Sequence, residues 1–454
     1  MSLAASAPAT EELYSDHVNP QWVKLLNLLR MNVRYERCTG SELITSDGRC
    51  ILDFLSGYCV HNAGHNHPDI LEALKAELDR RGPGMLQSHV PELAGELAAA
   101  LCKRAGGRLQ KAFFSSSGSE GVEAAIKFSR AHTKRTGLLY AHGAFHGLTC
   151  GALSVMGDSF WRESFGPMLS DTESVPFGSI DELERQLATR KFAALILEPV
   201  QGEAGIRIAP SGYLEAAQAL CRRHGTLFVL DEVQTGMYRT GKFLASHYYD
   251  VEPDMVVLAK ALSGGVVPVS ALLMSDAVYK SVYGSLKRSI VHTSTFSENS
   301  LSMRAGLASL EVLEREQLGQ RAIESGEYLR SELITALSTY EMVKEVRGLG
   351  LLSGIEFSAP KKLTLRLPFE AFMRIHPSMF GQVIVMRLFR DAGVLTQICG
   401  NDFLTLKAAP PLVVERPQLD RFIQGVKEVV ELMHTSTSFW SEALGLAQRV
   451  IANI

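Results

Sequence analysis

The chain of 454 residues lacks any unbroken apolar run near the roughly 20 residues that a membrane-spanning helix needs, so no span is predicted. It also lacks paired cysteine spacing. Seven cysteines, an odd number, argue against a disulfide framework and point to a reducing compartment. Cys59, Cys102, Cys150 and Cys221 stand in apolar stretches and read as core thiols. No basic run accompanies the net charge of −3, which speaks against nucleic acid or an anionic membrane as partner. Residues 1–10 are small and uncharged, with no basic segment ahead of an apolar one. No signal peptide is therefore expected, and the expected compartment is the cytoplasm.

What is present suits a soluble enzyme. Hydrophobic residues make up 46% and charged residues 21%, and the length fits one large domain with a smaller one attached. Residues 1–18 read as loosely ordered, and 21–31 as a short amphipathic helix. Residues 42–45 and 50–54 form a hairpin around Ser46-Asp47-Gly48. A loop over 56–68 carries His61, His65 and His67. Gly64 and Pro68 forbid a regular element there, and no carboxylate or cysteine completes a ligand set, so these read as structural histidines and no metal is expected.

Strands and helices then alternate. Strands are predicted at 111–116, 137–141, 193–198, 227–231 and 255–258, with helices at 69–80, 120–133, 180–187 and 213–224. That period predicts an α/β fold with a mostly parallel sheet sandwiched by helices. Past residue 300 come two long helices, 300–316 and 318–337, then a smaller α+β region with a final helix over 418–434. Residues 359–380, with three prolines and four basic residues, read as an irregular excursion.

Two apolar runs carry the chemistry. Residues 227–230 end in Asp231 and residues 255–259 end in Lys260, and in an open parallel sheet ligands gather at the carboxyl ends of strands. Lys260, pressed among Leu258, Ala259, Ala261 and Leu262, loses hydration, which favours its neutral, nucleophilic form. Asp231 can hold a cationic ring nitrogen. A Schiff-base lysine with an aspartate on a pyridinium is what pyridoxal 5'-phosphate (PLP) requires. Each feature alone also fits a surface lysine and a turn-opening aspartate. The strand–turn–helix segment Phe113-Phe114-Ser115-Ser116-Ser117-Gly118-Ser119-Glu120-Gly121 offers an anion site at a helix N-terminus, although serine is a favoured N-cap in any case. Phe145 follows a strand end, where an aromatic ring can stack on a planar cofactor or simply fill core.

Together these segments resemble the class III (ornithine/ω-amino acid type) aminotransferases, PLP enzymes of fold type I. The match runs from about residue 42 to 414 and includes Phe145-His146-Gly147, Glu198-Pro199-Val200-Gln201-Gly202-Glu203, Asp231-Glu232-Val233-Gln234, Arg239-Thr240-Gly241, Ala259-Lys260-Ala261, Ser294-Thr295-Phe296 and Pro410-Pro411. The resemblance implies a seven-stranded large domain over 56–330, a small domain over 331–454, and an N-terminal segment, 1–55, belonging to the small one. It implies that Lys260 carries PLP and shuttles the substrate proton, while Asp231 keeps the ring nitrogen protonated. Val233 and Phe145 would pack on the ring, Gln234 would contact the ring oxygen, and Ser117, Gly118 and Ser119 would bind the phosphate. His146 and Glu198, in the matched segments, count with the cofactor site. Thr295 would reach the neighbouring subunit's phosphate, which implies a homodimer with shared sites.

Substrate clues come from departures. Leu148 and Lys407 stand where ornithine and acetylornithine enzymes of this family carry arginines, while Tyr58 and Glu203 match pocket residues. An apolar wall and a lost guanidinium fork point to a donor whose amine lies far from any carboxylate: a diamine, an ω-amino acid or a related compound. The acceptor would be a 2-oxo acid held by Lys407 or by an arginine that the sequence does not single out, in a ping-pong sequence. Two other readings share the scaffold: a racemase, aminomutase or lyase, and a non-enzymatic binding protein.

Overall fold

The computed structural model describes residues 7–451 apart from 87, 376 and 401. Its centre is a sheet of seven strands: β1 (Lys111–Ser115), β2 (Gly137–Ala141), β3 (Thr172–Val175), β4 (Phe192–Leu197), β5 (Leu227–Asp231), β6 (Met255–Leu258) and β7 (Ser270–Met274), in the spatial order β1-β7-β6-β5-β4-β2-β3. All neighbours are parallel except β7, which runs antiparallel to both β1 and β6. Apolar side chains bury both faces, and β2, β4, β5, β6 and β7 are buried along their whole length. With β7 reversed, β1 still points the same way as the rest. The carboxyl ends of β1, β2, β4, β5 and β6 therefore open onto one edge, where every candidate cofactor residue but Thr295 follows a strand end.

Beyond this sheet, Val343–Leu349, Leu352–Phe357, Asp402–Ala408 and Gln397–Cys399 form a four-stranded antiparallel sheet against the helices Leu318–Leu337 and Phe380–Arg387, and Arg416–Thr435 packs on the first of these. The N-terminal strands Tyr35–Thr39, Glu42–Thr45 and Cys50–Asp53 are antiparallel, and the last pairs in parallel with Val394–Leu395.

Four expectations need correction. Ala7–His17 is a helix rather than a loose tail, in keeping with the helix propensity of its alanines and glutamates, and Asn27 donates to its Glu11 carboxylate at 2.9 Å; residues 1–6 lie outside the described part. The predicted excursion over 359–380 contains the helix Leu363–Ile375, whose Leu365, Phe369 and Phe372 form a buried stripe. Pro368 and the basic residues masked that 3.6-residue spacing. Phe369 and Phe380 pack on Trp440 of a helix, Thr437–Ile451, that the sequence reading missed. Cys150 is exposed and Cys102 half-buried, so only Cys59 and Cys221 of the four named thiols are core residues. The three histidines take structural roles: His65 bonds Asp53 at 2.7 Å, His67 bonds Glu316 at 3.0 Å and caps the helix Pro68–Arg80, and His61 stacks on His65.

Residues Ser56, Gly57, Tyr58 and Cys59 have φ of 44°, 60°, 64° and 69°, a full left-handed turn. Each non-glycine residue there costs roughly 1–2 kcal/mol, so the surroundings must hold it. Asp53 Oδ1 accepts from the N–H groups of Leu55 and Ser56, both at 2.8 Å, and Ser56 Oγ donates to Ala409 O at 2.8 Å. The wholly buried Arg239 donates to Ser56 Oγ (3.1 Å), Asn62 Oδ1 (2.5 Å), Leu351 O (3.1 Å) and Pro410 O (2.5 Å). Replacing Arg239 with Ala would strand these acceptors, and urea unfolding should show a loss of about 2–4 kcal/mol. A loss below about 1 kcal/mol would show that the turn holds itself.

Candidate active site

A cavity of about 410 Å³ at the strand-end edge is lined by Ser117, Gly118, Ser119, Phe145, His146, Glu198, Glu203, Asp231, Val233, Gln234 and Lys260, with Val60 and residues 263 and 265–269 closing it. The structure thus brings together every cofactor residue named from the sequence except Thr295. Thr295 lines a separate cavity of about 550 Å³ with Met85 and Glu298. Of the substrate candidates, Glu203 lines the main cavity and Lys407 lies buried behind it, while Tyr58 is about half exposed beside their charges.

Lys260 follows β6 with φ of 50° and opens the one-turn helix Lys260–Ser263. Gly264 ends that turn at φ 65°, where a Cβ would strike Ile70 Cδ1 at 2.4 Å. Ser309 Oγ pins the turn by donating to Ala261 O at 3.0 Å. Burial is the largest influence on the Lys260 amine and pushes its pKa down, outweighing the carboxylates nearby.

Asp231, at the end of β5, is buried and accepts from Val233 N at 3.0 Å, and its other oxygen pairs with His146 Nδ1 at 2.8 Å. Burial disfavours a charged His146, but the hydrogen bond and charge of Asp231 outweigh it and raise the imidazole's pKa. Glu198 accepts from Phe145 N (3.0 Å) and Gly202 N (3.1 Å), so its carboxyl fastens the loop that presents Phe145. Burial lifts its pKa to about 7, with Asp231 adding to the rise and His146 opposing it. Glu203 pairs with Lys407 and accepts from Gly400 N (3.0 Å) and Gln234 Nε2 (3.3 Å). Burial works against the Glu203 charge, yet Lys407 holds its pKa below the usual carboxylate range.

Ser117 caps the helix Gly118–Thr133, its Oγ accepting from Glu120 N at 3.3 Å, so the N-terminus of this 16-residue helix faces the cavity. Gly121 explains its own presence: a Cβ there would meet Val257 Cγ1 at 2.7 Å, so glycine lets the helix lie on β6.

A planar phosphorylated pyridine fits this cavity. A Cβ on Gly118 would come within 3.0 Å of both Val233 methyls, so glycine keeps open the space between the helix N-terminus and Val233. Gln234 Oε1 is buried without a partner among the described residues, a polar atom left over for a ligand. An anion site, a buried carboxylate and a desolvated lysine share one enclosure, which defines a PLP site on a fold type I scaffold.

Residues 27–430 match the family Aminotransferase class-III. The chain is 35% identical over 468 residues to Aminotransferase PigE of Serratia sp. (strain ATCC 39006), covering 96% of itself and 55% of that protein, so it spans about half of PigE's length. It is 35% identical over 435 residues to a putrescine aminotransferase of Pectobacterium atrosepticum, covering 93% of itself and 88% of that protein. An amine transaminase from an uncultivated Pseudomonas species, solved with PLP bound, superposes with a TM-score of 0.78 at 27% identity over 88% of this chain and 95% of that one. The ornithine aminotransferase of Toxoplasma gondii shares the fold, with a TM-score of 0.80 at 24% identity over 95% and 98% of the two chains. The chain belongs to the PLP-dependent class III aminotransferases.

Sequence reasoning quoted the Arg239 motif without giving it a role, gave Val60 none either, and missed residues 266–269 and Trp161. The last packs edge-on to Phe145 with ring centroids 5.5 Å apart. A lone tryptophan outside any motif carries no signal until the chain is folded.

Glu198 yields a pH prediction. The folded carboxyl keeps its proton up to about pH 7, whereas its unshifted value is 4.5. Between those values the folded state binds more protons than the unfolded one, so this group makes stability fall as pH rises from 4.5 to 7. Urea unfolding of PLP-free protein at pH 5 and 7 should show a smaller drop in Glu198→Gln than in the parent. Equal drops would place the titration elsewhere.

Proposed function

We propose that this protein moves an amino group from a terminal-amine donor to a 2-oxo acid, in two half-reactions at the Lys260–Asp231 site. One observation carries the reading: a desolvated lysine and a buried carboxylate meet beside a helix N-terminus in one cavity. PLP, when bound, supplies an electron-poor ring that stabilises negative charge at the substrate carbon. The N-terminus of Gly118–Thr133, with Ser117 and Ser119, would hold the phosphate. Asp231, oriented by His146, would keep a proton on the ring nitrogen. Val233 and Phe145 would fix the ring plane, and Gln234 would face the ring oxygen. Lys260 would hold the cofactor covalently and, once displaced by the donor amine, would move the proton from the substrate carbon.

The donor class is supported by the exposed, apolar Leu148 beside the cavity and by the relative called a putrescine aminotransferase. Lys407, reached once Glu203 yields, would hold the acceptor's carboxylate, and Tyr58 would stand at the entrance beside them. We further assign residues 1–55 and 331–454 to one small domain and 56–330 to the large one, a division supported by the pairing of Leu52 and Asp53 with Val394 and Leu395. Thr295, away from its own chain's cavity, suits a homodimer in which it serves the partner's phosphate. The absence of a membrane-length apolar helix among the described residues agrees with a cytoplasmic enzyme.

Adding a terminal-amine donor alone should bleach the visible band of the PLP-loaded protein, and a 2-oxo acid should restore it. Lys260→Ala should abolish both changes. Persistence of the band while a substrate is racemised, isomerised or cleaved would favour the non-transaminase reading. Lys407→Ala should raise the acceptor KM roughly tenfold or more, a charge-assisted hydrogen bond being worth about 1.5–3 kcal/mol, and should leave the donor half-reaction running. An unchanged acceptor KM would remove Lys407 from the carboxylate site.

A further inference from the structure

Two carboxyl groups end neighbouring strands at the cofactor edge. β4 and β5 run in parallel with Leu197 opposite Leu230, so the next residues, Glu198 and Asp231, stand side by side. Neighbouring strands lie about 4.8 Å apart, and residues in register project to one face. Both carboxyls line the main cavity and both are buried. His146 bonds Asp231 through Nδ1 at 2.8 Å, and its Nε2 is buried without a partner among the described residues. Glu198 is fixed from two sides: Oε1 accepts from the N–H of Phe145, the residue before His146, and Oε2 from the N–H of Gly202. Gly202 backs Gln234, since a Cβ there would collide with Gln234 Oε1. The Glu198 carboxyl therefore stays beside Asp231 unless the loops behind Phe145 and Gln234 are released.

Like charges this close disfavour each other, so one of the two carboxyls takes up a proton near neutrality. Burial makes Glu198 that group: with Asp231 adding and His146 opposing, its pKa rises to about 7. The other charged groups lining the cavity, among the described residues, are Lys260 and Glu203, the latter paired with Lys407. A positive charge set against Asp231 would favour the ionised form of Glu198. A protonated ring nitrogen is such a charge.

We propose that Glu198 is a positioning residue for the ring-nitrogen proton: beside the His146–Asp231 pair, its carboxyl gives its own proton to solvent as the protonated ring docks, and so adds a second negative charge that holds the ring's proton in place. This rests on the reading that Asp231 faces the ring nitrogen, and it makes the grip on that proton depend on pH through Glu198. Dissociation constants would be measured on apoenzyme for PLP and for its analogue with carbon in place of the ring nitrogen, in the parent, Glu198→Gln and Asp231→Asn. Glutamine mimics the protonated carboxyl, and any backbone tie it loses is lost for both cofactors. The ratio of the two constants therefore isolates the ring nitrogen, and comparing proteins at one pH cancels the titration of the free cofactors.

At pH 8.5 the parent's preference for PLP over the analogue should exceed that of Glu198→Gln roughly fivefold or more, a change of about one pKa unit in Glu198 on docking being worth tenfold. At pH 5.5 the two preferences should converge, because Glu198 then carries its own proton. Equal losses for both cofactors, or a gap that ignores pH, would leave Glu198 a tether only and overturn the proposal. Asp231→Asn should abolish the preference at both pH values; if it survived, the placing of Asp231 on the ring nitrogen would be the step that fails. Should Glu198→Gln not fold, the parent alone decides. Calorimetry at pH 6.5 in buffers of different ionisation enthalpy should show PLP releasing more protons on binding than the analogue does, and equal release would overturn the proposal.

Discussion

The fold around the site depends on one buried cation. Arg239 has no carboxylate partner; its guanidinium donates instead to the side-chain oxygens of Ser56 and Asn62 and the carbonyls of Leu351 and Pro410. Desolvation lowers its pKa, so the four bonds must offset the burial of a charge. They gather the left-handed turn that carries Tyr58, the start of the strand Leu352–Phe357 and the Pro410 segment onto the loop that follows Asp231. A lysine offers a point charge and could not reach four acceptors spread around a plane. The same crossing is tied a second time, as Asn62 Nδ2 donates to Met237 O at 2.8 Å. The strained turn persists because its neighbours over-determine it.

Within that frame the buried carboxyl groups divide into two kinds. Glu198 and Asp231 sit near one imidazole: burial lifts the Glu198 pKa to about 7, while Asp231 bonds His146 and a backbone N–H. Glu203 belongs to the other kind, held ionised by Lys407. A proton-binding carboxyl and a permanently charged one thus stand in a single cavity, set by their partners rather than by depth alone. The first buttresses Phe145 through its backbone. The second keeps Lys407 occupied behind the cavity.

Much of this was legible in the sequence because parallel sheets bury whole strands. The runs ending at Asp231 and near Lys260 read as continuous apolar segments, and the βαβ period then set both residues on one edge. The antiparallel β7 was not visible: Ser270–Met274 is as apolar as its neighbours, and strand direction leaves no mark in composition. The Leu363–Ile375 helix was hidden by Pro368, a breaker that the fold tolerates. Arg239 acts through contacts between segments far apart in sequence, so its motif could be quoted from the sequence while its role could not be read there.

The two substrates of a transaminase impose opposite demands on the Glu203–Lys407 pair. A neutral or cationic donor leaves the pair intact, because nothing in it competes for Lys407. On the proposed assignment, a 2-oxo acid's carboxylate would reach Lys407 only if Glu203 released it, and Glu203 also holds Gly400 N and Gln234 Nε2. Breaking a buried pair without replacement costs about 3–5 kcal/mol, whereas exchanging one carboxylate for another keeps Lys407 matched and leaves Glu203 to find new donors. On that assignment the acceptor half-reaction would carry a rearrangement that the donor half does not.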